Sequence, residues 1–313
     1  MQRRLFLTIA CLLAVSVPAA AQQTERFARK VKLDQNGRVS VKNVAGDIMV
    51  TAGSGDEVSI EAVKRTSGDP AELARMHIVV TEHPGRVDIS TDYAANGFFS
   101  RTERVSVDYT VTVPSTAGVD LRSVSGNVRV ADVKGTVRAQ TVSGGVTASN
   151  TPKLEQVKAV SGDVELMDIE ADDQLAVDTI SGRVRAMRLK ARSVDVKTIS
   201  GRLELENVVC DRFSVHAISG TIELTGALAK NGRYDINSHS GPVRLVLPTN
   251  AGFELDASTF SGSIRSEFAM TVGGDINRDI RGRRNHSIHA TFGDGSAQIS
   301  IRTFSGDVTI AKR

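Results

Sequence analysis

Chemistry in a sequence starts with side chains that could share a proton, a metal or an anion, and this chain of 313 residues offers few. Glu204 and Glu223 stand at equivalent places in neighbouring segments. One coil of separation would bring them to the spacing of about 5 Å used by the carboxylate pair of a retaining glycosidase. A sugar subsite also wants aromatic platforms, and the chain has no Trp and three Tyr. The pair therefore reads as part of a solvated charge row, in which Glu165, Arg185 and Glu204 would stack as an ion-pair ladder. Asp163 and Asp307 each follow Ser-Gly, where aspartate commonly bonds turn backbone. Calcium would need several oxygens converging from consecutive repeats, and the equivalent residues are Gly145, Arg183 and Arg202. His286 and His289 are three apart, which on a strand sends them to opposite faces. These readings leave no catalytic residue, no metal site and no cofactor to expect. The one departure from local neutrality is Arg278, Arg281, Arg283 and Arg284, four guanidinium groups within seven residues. They are the ligand-binding candidates, for an anionic envelope polymer such as lipopolysaccharide phosphates, because guanidinium matches phosphate geometry. The plainer reading is a solvated loop over the last repeats.

What must position these residues is a repeat. Val124-Ser-Gly-Asn-Val, Val160-Ser-Gly-Asp-Val, Ile199-Ser-Gly-Arg-Leu and Phe304-Ser-Gly-Asp-Val are examples of a unit whose degenerate first copy is Val44-Ala-Gly-Asp-Ile. From Gly126 the glycines fall at 144, 162, 182, 201, 220, 241 and 262, separated by 18, 18, 20, 19, 19, 21 and 21 residues. Within a unit the apolar period is two, as in Phe213, Val215 and Ala217, followed by Ile222 and Leu224, which is strand alternation. At Ser-Gly the phase slips, since Ala217 and Ile218 are adjacent and both match inward columns. A corner or bulge is expected there, with glycine accepting the backbone angles. Two short strands and two turns per unit make one coil of a β-solenoid, which buries its apolar face only by stacking on neighbours. Five residues before the glycine, Leu121, Ala139, Val157, Val177, Val196, Val215, Ile236 and Ala257 form an inward aliphatic ladder. Three before it, the small polar column Ser123, Thr141, Ala159, Thr179, Thr198, Ala217, Ser238 and Thr259 is expected to hydrogen-bond along the axis.

Composition agrees with this picture. Hydrophobic residues make up 40%, enough for a large core, while aromatics are 4% and glycines number 27, as small-residue strands and turns require. A basic start, a short apolar run and Ala19-Ala20-Ala21 predict a signal peptide over 1–21, cleaved after Ala21. Losing Arg3 and Arg4 takes the formal charge from +3 to +1, so no nucleic-acid partner is expected. Cleavage also removes Cys11 and leaves Cys210 alone, so no internal disulfide staples the exported chain. No transmembrane segment is expected in the mature chain.

The domain reading is a signal peptide at 1–21, a β-rich N-terminal region at 22–115 continuous with the solenoid, and the Ser-Gly repeat solenoid at 116–313. Asp69-Pro70-Ala71-Glu72 predicts a short helix to about His77, with Asp69 as N-cap and Glu72 closing a capping box. Val105 to Pro114 is a long strand. Between Gly262 and Gly306 the gap of 44 residues should hold a coil without the motif and a polar insertion over Gly273 to Asn285. The final Ile299 to Ile310 coil and the N-terminal strands should cap the edges of the stack.

Val105-Ser-Val-Asp-Tyr-Thr-Val-Thr-Val-Pro-Ser, the serial Ser-Gly-x-Val units and the closing Phe292 to Val308 segment resemble the bacterial β-strand-repeat domain family of unknown function that carries the label "putative adhesin". The resemblance covers most of the mature chain and implies an exported β-helical domain of the cell envelope, with no reaction and no catalytic residue to carry over. The fold expected is all-β, a parallel and right-handed β-solenoid with coils of about 18–21 residues. The expected function is a non-catalytic envelope protein, an adhesin-like binding or scaffold module, periplasmic, surface-associated or secreted. Its expected partner is an anionic envelope polymer or an envelope protein. A polysaccharide-active β-helix enzyme and a purely structural periplasmic module are the alternatives.

Overall fold

A computed structural model describes residues 23–34, 36–93, 105–268, 271–272 and 286–313. The predicted leader and Arg278, Arg281, Arg283 and Arg284 lie outside the described residues. Among the described residues the fold is all-β with one short helix, and it is solenoid-like. In chain order the N-terminal part holds β1 Gln23–Lys32, β2 Arg38–Ala45, β3 Ile48–Gly53, β4 Glu57–Thr66, α1 Ala71–Arg75, β5 Met76–His83, β6 Arg86–Tyr93 and β7 Val105–Pro114. The repeats follow as β8 Gly118–Ser125, β9 Val128–Ala131, β10 Val137–Ser143, β11 Val146–Ser149 and β12 Leu154–Ser161. Next comes β13, Val164–Thr225, an unbroken extended run of 62 residues carrying three repeat glycines. The chain closes with β14 Arg233–Ser240, β15 Val243–Leu247, β16 Phe253–Ser261, β17 Ile264–Ser266, β18 Thr271–Val272, β19 His286–Phe292, β20 Ala297–Ser305 and β21 Val308–Lys312.

Each coil sends the strand before its glycine to one ladder and the strand after it to another. The first ladder runs β5, β6, β2, β8, β10, β12, β13, β14, β20, β16, β19, β18. The second runs β1, β4, β7, β3, β9, β11, β13, β15, β21, β17. Pairing between successive coils is parallel and keeps the predicted columns, for instance Ala139 between Leu121 and Val157. All eight residues of the aliphatic ladder are at most 1% exposed. Burying a valine or isoleucine contributes roughly 1.5–3 kcal/mol, so this column alone is a large share of the driving force.

Three expectations are corrected. The stack does not follow chain order, because the last coil, β20 with β21, lies between the Gly241 and Gly262 coils. It is therefore an inner layer and not the cap. Among the described residues the gap before it holds no further parallel coil: β19 runs antiparallel to β16 and forms that end of the first ladder with β18. At the other end β5, β4 and β1 also pair antiparallel, so antiparallel strands terminate the first ladder on both sides and the second at the N-terminal end, while β17, parallel to β21, ends the second at the other. Helix α1 ends at Arg75, short of His77, and has no capping box. Asp69 accepts the Ala71 N–H at 2.9 Å, while the Glu72 carboxylate takes the Thr66 hydroxyl.

The ends of the core are closed differently from its middle. Phe253, Phe268 and Phe292 meet with ring centroids 4.4–5.4 Å apart, and the Lys312 ammonium stands 5.1 Å from the Phe268 ring. Near the N-terminal end, buried Asn43 donates to the carbonyls of Ala45, Gly46 and Val107 and accepts the Thr91 hydroxyl. That leaves no lone polar amide in the core.

The tightest constraint sits at the repeat glycine. At Gly162 the backbone has φ +146°, and a Cβ would fall 2.0 Å from the Gly144 carbonyl oxygen. Gly85 also has positive φ, +69°, but a Cβ there would meet nothing within 4 Å. Gly162→Ala is therefore expected to lose more than about 3 kcal/mol in urea unfolding, since rigid backbone must move, and Gly85→Ala only about 1 kcal/mol. Equal losses at the two sites would show that the close approach is not limiting.

Candidate functional site

The corner decides what faces outward. Three residues before the glycine the side chain is buried; two before and one before, both point out; two after, it is buried again, except at Ile264, which is half-buried. The pairing register reflects this, running Thr141 to Ala159 and resuming at Ser143 to Ser161. The predicted phase slip is present, but its outcome is reversed for one column. Ile218 is 54% exposed, and so is its whole column to a similar degree. In spatial order the column reads Val44, Val124, Val142, Val160, Ile180, Ile199, Ile218, His239, Phe304 and Phe260. Nine of the ten are large hydrophobics, exposed by 41–54%. Stacking along the axis covers the flanks of each side chain and leaves the tips as a continuous apolar ridge. Its last three members form an aromatic stack, His239 on Phe304 and Phe304 on Phe260, each pair 4.9 Å apart and 7° from parallel. Sequence reasoning placed this column inward; the signal it missed is that β-branched residues also occupied the adjacent, wet side of the bend.

Beneath the ridge runs the small polar column. Axial hydroxyl bonding holds at Thr303, which donates to Thr259 at 2.9 Å, while Thr141 and Thr259 donate to glycine carbonyls at the corner. Ser123, Thr179, Thr198 and Ser238 bury their hydroxyls without a partner, so a continuous axial hydrogen-bond ladder does not form.

Aspartate after Ser-Gly ties coil to coil. Asp47 accepts the Asn127 N–H, Asp163 the Arg183 N–H, and Asp307 both the N–H and hydroxyl of Ser263, all at 2.8 Å. Each bonds the neighbouring coil's turn and not its own. Glu165, Arg185 and Glu204 do not form the expected ladder. Arg185 reaches Glu206, Arg202 reaches Glu204 and Arg244 reaches Glu223, at 3.6–3.7 Å. Glu204 and Glu223 share a small polar depression with Arg313, each with an arginine already beside it. His286 and His289 both lie on β19, and His289 pairs in register with Asp256. Among the described residues no group of three or more His, Cys, Asp or Glu is placed to hold a metal ion. Cys210 is buried, which with the nearby Asp211 charge pushes its thiol up to about 12, far from a reactive thiolate. No helix among the described residues is long and apolar enough to cross a membrane.

A model of the family described as Toastrack DUF4097 matches residues 153–311. Comparison with proteins of curated function gave no match. Among solved structures, a "putative adhesin" from Bacteroides fragilis is 11% identical, over 91% of this chain and 97% of its own, with a TM-score of 0.42. A "putative lipid binding protein" from Parabacteroides distasonis is 11% identical, over 91% and 96%, with a TM-score of 0.43. A "putative cell adhesion protein" from Clostridium sporogenes is 9% identical, over 93% and 100%, with a TM-score of 0.22. None of these likenesses bears on what the chain binds.

The axial carboxylates make stability depend on pH. The Ser263 hydroxyl, then its N–H, holds the Asp307 carboxyl below its ordinary value. Burial pushes Asp47 upward, but the Asn127 N–H and amide and the Arg129 guanidinium outweigh it and leave it lowered. A carboxyl lowered on folding contributes stability above its unfolded pKa, and that stability disappears as pH falls through the folded value. The melting temperature should hold from pH 7 to 5 and fall between about pH 4 and 2. The double variant Asp47→Asn, Asp307→Asn should melt lower at pH 7 and show a shallower acid limb by circular dichroism.

Proposed function

The chain belongs to the Toastrack DUF4097 family, and from that premise we propose that it is a non-catalytic, exported cell-envelope protein, an adhesin-like binding or scaffold solenoid whose contact surface is the apolar ridge. One observation carries this reading. The columns four before, one before and three after each glycine are polar or mixed, as solvated strand faces are, yet the ridge column is hydrophobic in nine of ten coils while remaining half exposed. A purely solvated solenoid has no use for such a column. In this reading residues 1–21 are a cleaved signal peptide, 22–115 an N-terminal extension of the stack, and 116–313 a right-handed β-helical repeat. Right-handedness follows the general rule for parallel crossovers. The protein works in the periplasm, at the cell surface or in secreted form. Arg278, Arg281, Arg283 and Arg284 add an electrostatic contact to an anionic envelope polymer.

The engagement of Glu204 by Arg202 and of Glu223 by Arg244 supports a solvating row over a glycosidase pair. The test is co-sedimentation of the purified protein with isolated envelope membranes and with peptidoglycan sacculi, at low and high salt. Pelleting that persists in high salt should be lost in Ile180→Ser, Ile199→Ser, Ile218→Ser. A salt-sensitive fraction should be lost in Arg281→Ala, Arg283→Ala, Arg284→Ala. Pelleting unchanged by the ridge substitutions, in a variant that keeps its circular dichroism, would remove the ridge as the contact surface. The absence of pelleting under every condition would favour a purely structural role.

A further inference from the structure

The ridge forms one wall of a groove of about 850 Å³ that crosses six coils, from Gly162 to Gly306. The apolar wall is Val160, Ile180, Ile199, Ile218, His239 and Phe304, and the column four before the glycine forms the polar wall. Most cations of that polar wall are already occupied: Lys158 meets Asp178 at 3.4 Å and Lys197 meets Asp195 at 2.8 Å. Arg302 differs. It is exposed, two residues from Phe304 on the same face of β20, and among the described residues it makes neither an ion pair nor a hydrogen bond. Its register neighbours are Asn237 and Ser258. Asp235 and Asp256 share the polar depression on its far side, but neither forms an ion pair with it. The groove thus has an unpaired guanidinium at its aromatic end and an aliphatic wall leading away from it.

We propose that this groove holds one long-chain fatty carboxylate, its head on Arg302 and its chain lying along Phe304, His239, Ile218 and Ile199. This rests on the reading of the ridge as the contact surface and names what it contacts. The guanidinium fork donates bidentately to a carboxylate, and one free cation matches one negative charge. Three coil spacings from Phe304 to Ile199 span about 14 Å. One acyl chain, half of a hydrocarbon core about 30 Å thick, extends about 15 Å. The wall offers hydrocarbon and ring surface without a donor at each step, which suits a methylene chain and gives an extended peptide backbone nothing to bond.

The experiment is a fluorescence titration of the purified protein with cis-parinarate, competed by palmitate and, separately, by hexadecanol. Saturable binding displaced by palmitate is expected, with hexadecanol about tenfold weaker. Arg302→Gln should weaken parinarate about tenfold and leave hexadecanol competition unchanged, a split that a merely structural arginine would not produce. Ile199→Glu should abolish both while melting near the parent temperature, and Ile218→Glu serves if that variant fails to fold. The assignment is overturned if the parent protein shows no saturable binding or if Arg302→Gln binds parinarate unchanged. It is equally overturned if the ridge instead mediates dimers in the ultracentrifuge or binds only phosphatidylglycerol vesicles and not the monomeric lipid. Should parinarate fail while the isoleucine-to-serine variant still loses envelope pelleting, the fatty acid is wrong and the contact surface stands. Should both fail, the ridge is not a binding surface.

Discussion

Everything in this fold hangs on how closely one backbone passes over the next at the Ser-Gly corner. The carbonyl of one repeat glycine lies where a Cβ of the next would be, through Gly46, Gly126, Gly144, Gly162, Gly182, Gly201, Gly220, Gly241, Gly306 and Gly262 in turn. That contact aligns the corners into a straight line, and the alignment keeps equivalent residues in columns. Columns in turn allow small β-branched residues to do the work of large ones, because a valine stacked above and below by aliphatic neighbours is fully buried without an aromatic beside it. The same line of corners pushes the residue two positions earlier outward in every coil, so the ridge is a by-product of the geometry that holds the stack together. Its hydrophobic character is not a by-product, since the bend itself accepts any side chain there.

Much of the architecture was legible because it is written locally and repeatedly. The glycine spacing, the aliphatic ladder from Leu121 to Ala257 and the strand over 105–114 all follow from period and residue type. The ridge was misread for a physical reason: a valine on the wet side of a bulge has the same composition as one on the dry side, and only the count of residues across the bend tells them apart. The second turn of each unit was expected, but its left-handed corner was not located. Six residues after the glycine, Asp132, Asn150, Asp168, Arg188 and Asn207 take left-handed backbone, with φ between 50° and 63°. Aspartate and asparagine there are a readable signal, but Arg188 disguises the column, and it is held by its ion pair to Asp168.

The position of the last coil could not be read from sequence. β20 carries the same beat as every other repeat, and nothing in it distinguishes a terminal layer from an inserted one. The neighbours decide. Strand β19, with Ser287, His289 and Thr291 alternating with Ile288 and Ala290, pairs antiparallel and with β18 ends the first ladder, while charged β1 ends the second at the opposite pole. Charge along a terminal strand discourages the addition of another chain, which an open parallel edge would invite. The aromatic cluster at Phe253 serves the core in the same way, closing with three rings the end that no further coil covers.

That inserted layer also determines the order in which the molecule can be made. Synthesis delivers the coils one after another, and each can dock on its predecessor until Gly241. The next segment, Phe253 to Ser266, cannot, because its parallel partner is still unmade: it waits for residues 297–312, which follow it in the chain. Completing the stack therefore requires β20 and β21 to enter between segments made before them, pairing with β14 and β15 on one side and with β16 and β17 on the other. A stack that would otherwise grow layer by layer is thereby given a closing event, and a chain without residues 297–312 has a gap in its wall where a neighbour should be.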